Sequence, residues 1–310
     1  MRTIVVGLGI QGRKRLAVAG DEIVATVDPA VAGARYRSIE EVPPDAYDAA
    51  LVCTPDGPKE ALLGFLLHHG KHVLVEKPLL VKRLEALDHL EALAAKSGAV
   101  CYTAYNHRFE PHLVTVKQLL DDGVVGAVYQ ARFFYGNGTA RDVRNSPWRD
   151  SGLGVIPDLA SHLLDLVLFL FGQPAGSPRV WAHESFENQA CDYFLIGFPG
   201  VRPMLTLEGT LLSWRNTFRL DIVGEAGSIH VKGLCKWGPT SLIVRRRTLP
   251  SGKPAEDVQT LEQPDPTWAL EYGHFRDLCA NRRRGNIAND RYIAEALQAV
   301  AAQIGVEMLV

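Results

Sequence analysis

The chain has 310 residues, more than one typical domain and about right for two; it is 47% hydrophobic and 22% charged, the balance of an ordinary soluble globular protein. A formal net charge of -2 argues against a general nucleic-acid binder. Cys53, Cys101, Cys191, Cys235 and Cys279 are scattered, with no CxxC pair and no histidine at zinc spacing, so they read as reduced core thiols and no metal is expected.

The opening "MRTIVVGLG" enters a strand directly and lacks the apolar h-region and cleavage site of a signal peptide. The longest apolar run, Leu163–Phe171, contains Asp165 and falls far short of the roughly 20 residues that cross a bilayer. A cytoplasmic protein without a membrane partner is the expectation. Arg2–Val6 reads as a strand, Arg13–Ala19 as a short helix, "EIVATVD" as the next strand and Ala49–Thr54 as a third. Pro58–His69 carries Leu62, Leu63, Leu66 and Leu67 on one side, with Gly70 as a stop. After the strand His72–Val75, Leu80–Lys96 has helical apolar spacing and Gly98 where a C-cap belongs. Ala99–Thr103 is a further strand. Strands alternating with helices predict a parallel, doubly wound sheet.

The texture then changes. Pro111–Asp122 reads as a linking helix and Val124–Tyr135 as a long strand. Val180–Val244 reads as strand after strand, with helices only at Asp158–Phe171, Trp268–Asn281 and Ala288–Leu309. The expected organisation is an α/β Rossmann domain over 1–118 and an α+β domain with an open, mostly antiparallel sheet over 119–310.

"VVGLGIQGRKR" sets Gly7, Gly9 and Gly12 in G-x-G-x-x-G spacing, with Ile10 and Gln11 between, directly after a strand and opening a helix. The helix N-terminus would bind a pyrophosphate. Asp28, about 20 residues on, would accept hydrogen bonds from a ribose diol and repel a 2′-phosphate, favouring NAD over NADP. Arg35 and Arg37 downstream would partly offset that repulsion.

"GLGIQG", "CTPD", "VEKP", "YNHRF" and "DLASHLLD", in this order, resemble the Gfo/Idh/MocA oxidoreductases over nearly the whole chain. The resemblance implies pyridine-nucleotide chemistry on sugars, polyols or related compounds, and a homodimer or homotetramer joined through the open sheet. It places Thr54, Pro55 and Glu76 at the cofactor and Lys77 beside the nicotinamide, next to a proline whose peptide bond is often cis. Lys77 also ends a buried strand, where ligands of doubly wound folds bind.

Asp158, His162 and Asp165 are four and three residues apart, which puts them on one helix face. His162 suits a general acid/base, Asp158 an orienting role and Asp165 a supporting one. Pro157 predicts a helix start there. Relatives often carry histidine where this chain has Lys59, and "PAVAGARYRSIEEV" after Asp28 is too short for a full helix.

Arg132, Arg141, Arg144 and Arg149, with Tyr135 and Trp148 among them, favour an anionic, sugar-like small molecule; Arg149 and Trp148, with Asn106, Arg108 and Tyr105, are the expected substrate contacts. The favoured reading is an NAD-dependent dehydrogenase of a sugar, sugar acid, polyol or nucleotide-linked sugar. Two alternatives use the same residues: a glycosidase that retains its NAD and oxidises transiently, and a cofactor-sensing regulator without turnover.

Overall fold

The computed structural model describes residues 1–147 and 149–306. These form two compact units, one of Met1–Asn106 with Thr267–Ala294, the other of His107–Pro266 with the residues from Glu295 on. In chain order the elements are β1 (Thr3–Val6), α1 (Ile10–Ala19), β2 (Ile23–Val27), β3 (Ala49–Val52), α2 (Lys59–His68), β4 (His72–Glu76), α3 (Glu85–Ser97) and β5 (Cys101–Ala104). Next come α4 (Pro111–Asp121), β6 (Val128–Gly136), α5 (Ala140–Arg144), α6 (Ser161–Phe171), β7 (Arg179–Glu184) and β8 (Tyr193–Phe198). The chain continues with β9 (Met204–Thr210), β10 (Thr217–Gly224), β11 (Gly227–Lys232), β12 (Thr240–Arg246), β13 (Ala255–Leu261), α7 (Thr267–Ala280) and α8 (Ile287–Ile304).

The first unit holds a parallel sheet in the order β2-β1-β3-β4-β5. Its strands are largely apolar because both faces are covered. Val73 and Val75 join a cluster with Leu63, Leu66 and Leu87, while Leu74 joins Val5, Leu51, Tyr102 and Phe275 on the other face. Helix α3 begins at Glu85 rather than Leu80. Leu79, Leu80 and Val81 are all buried, and three consecutive buried residues do not suit a helix with one apolar face. Between β2 and β3 there are only short turns at Ile39–Glu41 and Pro44–Ala46, as the segment's length predicts.

The segment Thr267–Ala294 completes this unit. Tyr272, Phe275 and Leu278 of α7 fill the second apolar cluster. Beyond it, the Asn286 amide pairs with the outermost strand: it accepts from the Thr103 N–H (2.6 Å) and donates to the Thr103 carbonyl (2.9 Å). A side chain thus satisfies edge-strand groups that would otherwise face solvent. Gly285 permits the approach, since a Cβ there would lie 1.7 Å from the Cys101 carbonyl oxygen.

The second unit holds an eight-stranded sheet, β13-β12-β11-β10-β6-β9-β8-β7, antiparallel except for the β6–β9 pair. Phe133, Tyr135, Phe194, Ile196, Leu207, Phe218 and Leu220 are buried on its inner face. β6 starts four residues later than the sequence predicts, because Gly123 and Gly126, both at positive φ, form a turn first. α5 was not anticipated. α8 ends at Ile304, closed by Gly305 at φ +76, short of the predicted end at Leu309, which itself lies outside the described residues. Among the described residues no helix is long and apolar enough to cross a membrane.

Candidate active site

The turn after β1 needs two of its glycines for backbone reasons. A Cβ on Gly7 (φ +92) would lie 2.7 Å from the Cys53 carbonyl oxygen, and one on Gly12 would lie 1.9 Å from that of Gly7. Gly9 differs: nothing lies within 4 Å of where its Cβ would be. The space there opens beside the N-terminus of α1, where Ile10 and Gln11 are exposed. α1 starts at Ile10 and not at Arg13, which brings its dipole up to the glycine turn. Past β3, the Thr54 hydroxyl oxygen is buried with no hydrogen-bond partner among the described residues. A glycine cradle, an open helix N-terminus and an orphaned hydroxyl are what a dinucleotide requires.

Asp28 follows β2. One carboxylate oxygen accepts the Leu8 N–H (2.7 Å), the other those of Ala30 (2.8 Å) and Val31 (2.9 Å). Burial pushes its acidity down, but those three amides and Arg37 outweigh burial and hold the carboxyl below the usual carboxylate range. About four lone-pair sites serve a carboxylate, so one remains for a ribose hydroxyl. Arg37 donates to the carbonyls of Pro29 and Val31, and Arg35 to that of Val24.

β4 delivers Glu76 and Lys77. The Glu76 carboxylate accepts from Arg15 (2.6 Å), which also donates to Glu271 (2.7 Å) and lies under the Trp268 ring (4.3 Å). Burial works against the charge on Arg15, yet the two glutamates hold its proton more tightly than in water. Lys59, only 2% exposed, donates to the Asp56 carboxylate (2.7 Å) and to the carbonyls of Glu76 (2.7 Å) and Pro78 (2.8 Å). An ammonium has three donors, and all three are used. Lys77, half-buried, lies between the two carbonyls that Lys59 holds, and its peptide bond to Pro78 is cis.

In the second unit, α6 is preceded by a π-type turn over Ile156–Ala160 that contains Pro157 and Asp158. The helix therefore does not start at Asp158, as expected. Its first turn is widened instead, a feature that recurs at functional sites. One turn on, His162 is 7% exposed and stacks on the ring of His107, centroids 4.0 Å apart and planes at 17°. Tyr135 of β6 lies beside both rings. Its phenol is pushed well above its usual range by burial and then by Asp158, so it stays a neutral hydroxyl. Lys236, on the turn Cys235–Trp237, donates to the Tyr135 hydroxyl (3.1 Å), approaches the His107 Nε2 atom (3.3 Å) and lies over the Trp237 ring (4.5 Å). The Cys235 N–H donates to buried Glu110 (2.6 Å), which pins that turn.

The expected substrate contacts are dispersed. Arg108 forms a two-pronged pair with Asp165 (both 2.7 Å), which engages the guanidinium. Asn106 donates to Thr267 (2.8 Å), and the Tyr105 hydroxyl turns into the core towards Asp290. Arg149 is half-buried; Trp148 lies outside the described residues. Arg132 alternates with buried Ala131 and Phe133, so it lies on the outer sheet face, and Arg144 forms an exposed pair with Glu187. Sequence reasoning missed Arg15, His107, Glu110 and Lys236. Only His107 carried a signal, its place within "YNHRF". All five cysteines are free, and no cluster of metal ligands occurs among the described residues.

Comparison with known proteins gives two family matches. Residues 1–105 match the oxidoreductase family's NAD-binding Rossmann fold, and residues 113–230 match the GFO/IDH/MocA C-terminal domain, together more than half of the chain. An uncharacterized oxidoreductase of Escherichia coli, YdgJ, is 34% identical over 60% of this chain and 54% of its own. The scyllo-inositol 2-dehydrogenase (NADP(+)) IolW of Bacillus subtilis is 28% identical over 64% and 56%. These matches span only about half the length of those relatives. Among solved structures, a UDP-N-acetylglucosamine 3-dehydrogenase from Acidithiobacillus ferrooxidans superposes with TM-score 0.79 at 22% identity, over 98% of this chain and 99% of that one.

Proposed function

The chain belongs to the Gfo/Idh/MocA oxidoreductase family, and from that premise we propose that it is an NAD-dependent dehydrogenase or reductase acting on CH–OH groups. The substrate would be a sugar, sugar acid, polyol or nucleotide-linked sugar. What supports the reading most is the turn at the end of β4, where the buried Lys59 ammonium holds the backbone carbonyls on both sides of Lys77 and the buried Arg15 guanidinium holds the Glu76 carboxylate.

Gly7, Gly9, Ile10, Gln11 and Gly12 would hold the pyrophosphate of NAD, Asp28 its ribose diol, and Thr54, Pro55, Glu76 and Lys77 the nicotinamide half. The nicotinamide ring supplies the hydride acceptor or donor when bound. Lys77 meets negative charge as it develops on the substrate oxygen, a contact that counts in the transition state. His162 exchanges the hydroxyl proton, and Asp158, four residues earlier, orients it. IolW works with NADP, as its name states. Here the Asp28 carboxylate is held as an anion and would repel a 2′-phosphate, which favours NAD.

Residues 1–118 would serve the cofactor and 119–310 the substrate and assembly, with Thr267–Ala294 structurally part of the first unit. A homodimer or homotetramer would form through the outer face of the eight-stranded sheet. That face is apolar only in part: Trp181 lies over Gly197, with Leu195 and Met204 nearby, while Arg219, Asp221, His230 and Arg245 make the other half polar. The protein would be cytoplasmic.

The test is a panel of sugars, sugar acids, polyols and nucleotide sugars, each incubated with the enzyme and NAD while absorbance at the reduced-nicotinamide band is followed. Net reduction with one of them supports a dehydrogenase. Turnover of a glycoside with no net reduction would replace this reading by a cofactor-retaining hydrolase.

A further inference from the structure

We propose that His107 is a positioning residue for His162, and that Lys236 keeps it neutral so that the stacked pair carries one proton, on His162.

The geometry carries the argument. The Lys236 ammonium is a donor only, and it lies 3.3 Å from the Nε2 atom of His107. That nitrogen must therefore present its lone pair, which leaves the ring proton on Nδ1. A second proton on His107 would set an imidazolium against an ammonium on one side. On its other side it would face His162 at a centroid distance of 4.0 Å. Like charges this close disfavour each other strongly where solvent is excluded, and the two rings are 1% and 7% exposed.

Other groups act in the same sense. Asp158 lies four residues before His162 on the same helical segment, and a carboxylate one turn away favours a proton on that ring. Tyr135, which faces both rings, stays neutral. Asp165, on the same helix as His162, is balanced by Arg108 of the turn Asn106–Phe109. Glu110 and Asp265 lie near Cys235, next to Lys236. Glu110 is drawn towards its neutral form first by burial, which the Cys235 N–H opposes. Its bond to the Cys235 N–H fixes the turn that carries the ammonium, and the Trp237 ring supports that ammonium from below. His107 is thus a flat, neutral platform under His162. It fixes the ring plane without competing for the proton.

Only the catalytic use of His162 rests on the dehydrogenase reading; the charge distribution does not. Histidine ring nitrogens in the full-length ¹⁵N-labelled protein can be followed by NMR from about pH 5 to about pH 9, with His107→Gln and His162→Gln spectra for assignment. Of the two stacked rings only His162 should titrate, with His107 neutral and protonated on Nδ1 throughout. In Lys236→Met, His107 should take up a proton with its midpoint raised by about one pH unit or more. Lys236→Arg, which keeps the charge, should match wild type. Protonation of His107 on Nε2 in wild type, or a Lys236→Met titration that superposes on wild type, would overturn the proposal. The acid limb of kcat/KM is the second readout, and it should move to higher pH in Lys236→Met. Should the NMR behave as expected while that limb stays fixed, the platform stands and the assignment of His162 as acid/base falls.

Discussion

The ammonium of Lys59 lies 2.7 Å from the carbonyl oxygen of Glu76, the residue immediately before Lys77. The same ammonium reaches the carbonyl of Pro78, the residue immediately after it. A buried lysine therefore clasps the backbone on both sides of the proposed catalytic one. A neutral imidazole in its place would offer one donor where three acceptors converge.

Lys59→Met should expose that role. It leaves two carbonyls and a carboxylate without their donor and should cost about 2–4 kcal/mol of stability. Denaturant unfolding measures the loss. Turnover should fall more than cofactor affinity, because the displaced group is Lys77. An unchanged midpoint in denaturant would mean that water replaces the ammonium at no cost.

Lys77→Ala should lower turnover on a verified substrate by about a hundredfold or more, while NAD affinity by calorimetry changes little. Lys77→Arg should not rescue it, since a planar guanidinium cannot replace a compact ammonium in a fitted turn. Retention of near wild-type turnover in the alanine variant would reduce Lys77 to a strand-end lysine.

Asp28 should act on both specificity and stability. Asp28→Asn keeps one acceptor oxygen but loses the charge, so binding of NADP relative to NAD should rise by about tenfold or more. Its acidity in the folded chain is enhanced, so the stability it contributes is fully present above the unfolded carboxyl range near about 4 and is lost as the pH falls through its lower folded value. Thermal midpoints of wild type and Asp28→Asn should accordingly differ at neutral pH and converge in acid. A gap that stays constant with pH would mean that the charge is irrelevant to the turn.

Arg15→Met should be the most damaging single change in the first unit. It strands the carboxylates of Glu76 and Glu271, the latter fully buried, and should cost about 3–5 kcal/mol. In the double variant Arg15→Met with Glu271→Leu, part of that loss should return. Chemical denaturation of the pair decides whether the charge or the packing of the arginine matters.

The sequence makes the strands and the nucleotide turn readable because both are local. Val73–Val75 is an unbroken apolar run, and the glycines of "GLGIQG" fall within six residues. Lys77 and His162 stand out for the same reason: each is polar where its neighbours demand burial. Arg15 does not. Beside Arg13 and Lys14 it looks like surface charge, and only Glu76 and Glu271, 61 and 256 positions away, explain it. Lys236 in "GLCKW" follows no periodicity; its place depends on a backbone bond to Glu110 across 125 positions. The arginine cluster around Trp148 misleads in the opposite way. Proximity in the chain brings those residues near one another, but strand alternation and surface pairing send Arg132 and Arg144 elsewhere.

The return of Thr267–Ala294 to the first unit sets a schedule for synthesis. A nascent chain on the ribosome can form the five parallel strands once about a hundred residues have emerged, but Thr103 then lacks Asn286 and Arg15 lacks Glu271. The outer strand is an open template during that interval, with apolar residues on both sides. Chaperone dependence should therefore peak while the middle of the chain is being translated and end when α7 and the Gly285–Asn286 turn leave the exit tunnel. A stop codon placed after Pro266 would leave that template uncovered, and its product should aggregate even though every strand of the nucleotide-binding sheet is present.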